Sequence, residues 1–167
     1  MGPAWRQAPA GHWTRRLPKA DDTSALFFAF FNEVGIISQL SGRMLEARLP
    51  KGFLVSHFAV MNHLVRLGDG RTPLAIARAF QVPKATMTHT LTGLAEAGLI
   101  RLEPNPEDGR SKRVMLTDKG RRFREDAIAR LEPDITRMAK HVDARSIAGV
   151  LPLLAGLRSY LDQERDG

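Results

Sequence analysis

Cysteine is absent from the 167 residues. That one absence excludes disulfide scaffolds, cysteine-ligated zinc, thiol nucleophiles and thiol redox sensing. Long apolar runs are missing too. The longest, Ala25 to Phe31, has seven residues before Asn32 and Glu33 interrupt it, too few to span a bilayer and a poor signal-peptide core. These two absences point to a cytoplasmic chain without a membrane partner. Catalytic patterns are also lacking. The five histidines, His12, His57, His63, His89 and His141, form no i,i+4 pair, no HExxH motif and no cluster with acids, and neither GxSxG nor a phosphate-loop glycine pattern occurs. Gly68-Asp69-Gly70 reads as a turn. The expectation is therefore a non-enzyme with no catalytic residue, no metal and no cofactor.

What is present is a globular composition, 43% hydrophobic and 26% charged, long enough to bury one real core. The net charge of +7 favours a polyanionic partner. Its distribution is uneven. Residues 1–20 carry four bases and no acid, residues 71–124 eleven bases and five acids, and the segments between and after are nearly balanced. Like charge gathered on one segment marks a binding surface, whereas scattered charge merely solvates. The first twenty residues hold three prolines, two glycines and no apolar period, so they read as a disordered basic arm. Its Trp5, Trp13, Arg15, Arg16 and Lys19 would suit a nucleic-acid backbone or no partner at all. Residues 21–167 read as a single domain.

Asp22, Thr23 or Ser24 can cap a long amphipathic helix that ends near Pro50, with apolar positions at Phe27, Phe30, Phe31, Val34, Ile37, Met44 and Leu45. Its stripe is wider than one neighbouring helix covers, which predicts packing on a partner chain. A second helix runs from Phe53 to Leu67, with Leu54, Phe58, Met61, Leu64 and Val65 inward. Thr72-Pro73 begins a short helix to Phe80, Pro83 opens another to Ala97, and Gly98 ends it. Leu99–Glu103 and Arg113–Leu116 read as two strands of a hairpin with a long tip. Thr117 caps a helix that continues to Val142, and a last helix holds Ile147 to Leu161. Pro133 and Pro152 predict kinks or restarts.

Helix, helix, turn, helix and hairpin within residues 53–117 is a winged helix-turn-helix plan, and the fold class is mainly α, about six helices plus a β-hairpin wing. On the helix from Pro83, Met87, Leu91 and Leu94 face the core while Lys84, Ala85, Thr88, His89 and Thr92 fall opposite. Thr88 and His89 would reach base edges and Lys84 a phosphate. The hairpin tip gathers Arg110, Lys112 and Arg113 beside Gly109, a reach that suits the minor groove. Asp108 fits beside DNA if a charge-assisted bond holds and aims Arg110. Taken singly, a solvated helix face and a solvated turn explain each feature as well.

Phe58-Ala59-Val60-Met61-Asn62-His63-Leu64, Thr72-Pro73-Leu74-Ala75-Ile76-Ala77, Ala85-Thr86-Met87-Thr88 and Leu94-Ala95-Glu96-Ala97-Gly98-Leu99-Ile100 occur in order. Asp108-Gly109-Arg110 then precedes Val114-Met115-Leu116-Thr117-Asp118-Lys119-Gly120. Over Val55 to Gly120 this resembles the MarR-type transcription regulators, whose wing signature joins an Asp-x-Arg tip to a Leu-Thr-x-x-Gly helix start. The resemblance implies a homodimer held by end helices, here residues 22–50 and 118–163, and a pseudo-palindromic double-stranded DNA operator. It implies DNA contacts from Lys84, Ala85, Thr86, Thr88, His89 and Thr92 and from Asp108, Arg110, Lys112 and Arg113. Pro83 and His89 depart from the residues common in that family. Repression, relieved by a small aromatic or phenolic effector, is the outcome the resemblance implies, and Phe27, Phe31, Arg43, His57 and Met61 are the residues that would line an effector pocket. Plain core is the competing reading of those five. The competing function is a basic protein that packages DNA or coats an anionic surface without reading sequence.

Overall fold

The computed structural model describes Lys19 and residues 21–166. The basic arm's Trp5, Trp13, Arg15 and Arg16 lie outside the described residues. Among the described residues seven helices and one hairpin follow in order, α1 (Thr23–Glu46), α2 (Val55–Leu67), α3 (Pro73–Ala79), α4 (Lys84–Glu96), β1 (Ile100–Pro104), β2 (Lys112–Leu116), α5 (Asp118–Ala129), α6 (Glu132–Ala139) and α7 (Ala144–Asp166). The mainly helical winged plan is as expected. The seventh helix arises because Pro133 near the start of α6 separates what reads as one helix from Asp118 to Val142; proline is tolerated in a first turn, where its missing N–H has no partner to lose. Pro152 behaves differently, since α7 continues through it without a restart.

The chain divides into two compact units, Phe30–Leu131 and the residues to Ala29 with Glu132 onward. The first unit holds the winged helix-turn-helix. Its core is Val60, Met61 and Leu64 of α2, Ile76 and Ala77 of α3, Met87, Leu91 and Leu94 of α4, then Leu99, Ile100, Val114 and Leu116 at the hairpin. Two of the five inward positions expected on α2 are instead exposed, Leu54 at 51% and Val65 at 39%. Leu54 precedes the helix, and the buried face is carried by Val60, Met61, His63 and Leu64.

Local chemistry sets the boundaries. Thr72 Oγ1 accepts the Ala75 N–H at 3.2 Å and starts α3. Thr117 Oγ1 does the same for Gly120 at 3.0 Å and starts α5. Gly98 ends α4 with φ at +69°, a conformation open to glycine because it lacks a Cβ. α2 starts with an unusual cap: His57 Nδ1 accepts the Leu54 N–H at 3.0 Å, an imidazole reaching back from the third helical position. The hairpin pairs antiparallel from Ile100↔Leu116 to Pro104↔Lys112. Arg71 adds an isolated bridge to Val114, whose N–H donates to the Arg71 carbonyl at 2.9 Å.

In the second unit, Asp22 Oδ1 accepts the Ala25 N–H at 3.0 Å at the start of α1. Buried Asp134 pairs with Arg137 one turn along α6. Ile135, Met138, Val142 and Ile147 line an apolar hollow of about 490 Å³ where α6 gives way to α7. α1, which begins here and continues into the other unit, contains no buried residue in 24, and Phe28 is 76% exposed, Ile37 60% and Leu40 62%. Its length and apolar content would suffice to cross a membrane, which its seven-residue apolar run understates.

Candidate nucleic-acid interface

α4 buries Met87, Thr90, Leu91 and Leu94 and leaves Lys84, Ala85, Thr86, Thr88, His89 and Thr92 exposed. The six expected contact residues on this helix are therefore all accessible. No acid stands among them; Glu96, also exposed, enters only at the last helical residue. The turn into α4 places Gln81 at φ +52°, the sole non-glycine in the left-handed region among the described residues, while the Val82 N–H returns to the Ala77 carbonyl at 3.1 Å. This bend is what separates α3 from α4 as the two helices of the motif.

Three of the four threonine hydroxyls on α4 bond to their own helix. Thr88 Oγ1 donates to the Lys84 carbonyl at 2.9 Å, Thr92 Oγ1 to the Thr88 carbonyl at 2.9 Å and Thr90 Oγ1 to the Thr86 carbonyl at 3.2 Å. α2 approaches closely beside this face. A Cβ at Gly93 would lie 3.3 Å from His57 Nε2. Burial pushes the His57 imidazole below its ordinary range, and the charge of His89 pushes it the same way.

The wing tip is a bonded loop. Asn105 Nδ2 donates to Ser111 Oγ at 2.8 Å across its neck, and the Ser111 N–H donates to the Asp108 carbonyl at 2.9 Å. Asp108 does hold Arg110, but through the backbone: its Oδ1 accepts the Arg110 N–H at 3.0 Å. The carboxylate thus shapes the turn while the Arg110 side chain stays exposed. Lys112 is exposed as well. Arg113 differs from the expected tip residue. It is half-buried, its guanidinium lies 3.8 Å from where a Cβ of Gly70 would stand, and its buried Nε has no hydrogen-bond partner. Its register opposite Glu103 puts it inside the hairpin ladder.

The basic segment serves two purposes. Lys119 Nζ donates to the Ala97 carbonyl at 2.7 Å, a cation at the C-terminal end of α4. Arg121 donates to Asp69 at 2.7 Å, and Arg124 to Asn62 Oδ1 at 3.0 Å. These three bases fasten α5 to the lobe. Arg78, Lys84, Arg110, Lys112 and Arg122 are exposed. Arg71, exposed at the wing base, was not singled out by the sequence pattern, because only the bridge to Val114 brings it there. Gly120 explains the wing-to-helix motif: a Cβ there would lie 2.1 Å from the Leu99 carbonyl oxygen and 2.8 Å from Leu116 Cδ1.

Of the five effector-pocket candidates, Met61 is fully buried in the core. Phe31, Arg43 and half-buried His57 lie in the same unit as Met61, and Phe27 in the other. None of the five lines the apolar hollow of the second unit.

Residues 51–111 match the model of the MarR family. Wild-type MarR from E. coli in its apo form has a similar structure, at TM-score 0.64 and 24% identity, covering 75% of this chain and 94% of that one. A MarR transcriptional regulator from Methanosarcina mazei Go1 compares at TM-score 0.68 and 18% identity over 80% and 99% of the two chains. A mutant E. coli MarR complexed with operator DNA compares at 0.63 and 22% over 81% and 98%. The chain is thus similar to the MarR family model over residues 51–111 and shares the winged helix-turn-helix fold of these regulators.

Proposed function

We propose that this protein is a sequence-specific transcription regulator that binds a pseudo-palindromic double-stranded operator as a homodimer. The observation that carries the reading is the pairing, on one basic lobe, of the acid-free exposed face of α4 with the exposed Arg110 and Lys112 of the wing. In this reading α4 enters the major groove and Arg110 the adjacent minor groove. Thr88 and His89 face base edges, Lys84 and Lys112 face phosphates, and Ala85, Thr86 and Thr92 line the approach. Asp108 acts by shaping the tip, and Arg113 by holding the hairpin. The unburied apolar surfaces of α1 and α7 are what a second copy would cover. Repression relieved by a small aromatic effector, and a cytoplasmic location, complete the reading. Phe27, Phe31, Arg43, His57 and Met61 are the effector candidates.

The test is titration of the protein's own promoter fragment against scrambled DNA at two salt concentrations. A specific site should bind ~10³ or more tighter than random DNA, with affinity falling steeply in salt. Arg110→Ala should weaken that binding about tenfold or more. Equal affinity for both DNAs would instead favour a sequence-blind packaging or surface-coating protein. α1 supports one further reading, a membrane segment, by its length and apolar composition. Recovery of the full chain in the soluble fraction without detergent would dismiss it.

A further inference from the structure

α4 offers DNA few free hydrogen-bond donors. The hydroxyl hydrogens of Thr88 and Thr92 are committed to the carbonyls of Lys84 and Thr88, both at 2.9 Å, the backward bonding open to threonine within a helix. Neither can donate to a base edge without giving up that bond. What each presents is its branched methyl and the oxygen lone pairs. Ala85, exposed on the same face, adds a third methyl. At helical spacing Ala85, Thr88 and Thr92 fall within an arc of about 60° and span about 10 Å along the axis, the reach of roughly three base-pair steps. Lys84 and His89 stand at the two edges of this stripe, so the larger polar side chains flank it without occupying it.

In the major groove, apolar contact with alanine or a threonine methyl matches the C5-methyl of thymine, whereas guanine is read by paired donors from arginine or lysine. We infer that α4 selects its half-site by thymine C5-methyl groups, so that the ligand class is A·T-bearing duplex read through methyls and not guanine read through donors. This rests on the proposed DNA-reading function. It goes further in naming the base and the atom recognised. A corollary is that 5-methylcytosine, which carries a methyl at the same ring position, replaces thymine's contact where cytosine does not.

The experiment uses the full chain and a random-core duplex library from which tight binders are selected. The recovered sites are then remade with deoxyuridine for thymidine inside the half-sites, and with the same exchange in the flanks as control. Half-sites should be enriched in A·T pairs, and each contacted methyl removed should weaken binding about fourfold. Exchanging a whole half-site should cost more than tenfold, and the flanks nothing. Thr88→Ser, which keeps the back-bonded hydroxyl and deletes the methyl, should narrow the gap between thymidine and deoxyuridine sites. Thr88→Val, which keeps the methyl, should preserve it. Selected sites that bind equally well in both forms would overturn methyl reading while leaving sequence-specific binding intact. A library from which no sequence is enriched would overturn the DNA-reading function itself, and the inference with it.

Discussion

The winged lobe and the end helices treat their apolar residues in opposite ways. In the lobe, Val60, Met61, Leu64, Ile76, Leu94, Leu99 and Val114 are fully buried among one another. Among the described residues of α1 and α7 none is buried, and Phe28, Ile37, Leu40, Leu151 and Leu153 are all more than half exposed. Burying a side chain of this size is worth roughly 1.5–3 kcal/mol, so the lobe contains its own stabilisation whereas the end helices carry theirs unrealised. A chain built this way has a core of its own in the lobe and leaves apolar area uncovered on its end helices.

The largest effect tests that second surface. Ile37→Asp with Leu40→Asp places two carboxylates on the exposed apolar face of α1. In a dimer covered there, each would be buried without a partner, at a cost of several kcal/mol per copy. Light scattering should therefore register a dimer in the parent and a monomer in the variant. Two dimers would remove α1 from the interface and erase the contrast between the regions.

Next comes the lobe itself. Gly120→Ala drives a Cβ to 2.1 Å from the Leu99 carbonyl oxygen, a backbone atom that cannot swing aside. Overpacking of this kind costs about 3 kcal/mol or more, which for a chain of this length lowers the Tm by about 10 °C. An unchanged melting curve would mean that α5 is not seated on the hairpin as described.

How far the sequence foretold these two regions depends on the range of the chemistry. Thr72, Thr117 and Gly98 cap or end their helices within a few residues of themselves, and all three were legible. So was the core face of α4, because period 3.6 places Met87, Leu91 and Leu94 together whatever surrounds them. The excess width of the α1 stripe was visible for the same reason. What escaped depends on contacts distant in sequence. Arg113 was read as the start of the second strand, but its partial burial beside Gly70 was not. Arg71 reached the wing by a bridge across 43 positions. His57 capping α2 was missed because imidazole is not among the usual capping groups.

A smaller effect sharpens the contrast through pH. His63 is buried in the lobe at 5.3 Å, ring to ring, from Phe80, and its Nε2 has no hydrogen-bond partner. Burial pushes its pKa below the ordinary 6.5, with Arg66 and then Arg71 adding to the shift. The unfolded chain therefore binds more protons than the folded one below about pH 6.5, so lobe stability rises with pH through that window and is lost as pH falls. His57 contributes in the same direction. Replacing His63 by phenylalanine should leave the Tm at pH 7.5 unchanged or higher and flatten its decline towards pH 5.5. A decline of equal steepness would assign the acid sensitivity to other groups.

The smallest effect separates a solvated end helix from a covered one. Gly149 lies inside α7 with nothing within 4 Å of a Cβ added there, unlike Gly120, where the same atom collides. Alanine in an exposed helix interior is favoured over glycine by about 1 kcal/mol, so Gly149→Ala should raise the Tm by about 3 °C if only solvent faces that position. Packed closely against a second copy, the added methyl would instead lower the Tm and weaken association together. Measured across a dilution series, the sign of the shift locates the dimer boundary on α7: a gain independent of concentration puts Gly149 outside it, and a loss that deepens on dilution puts it inside.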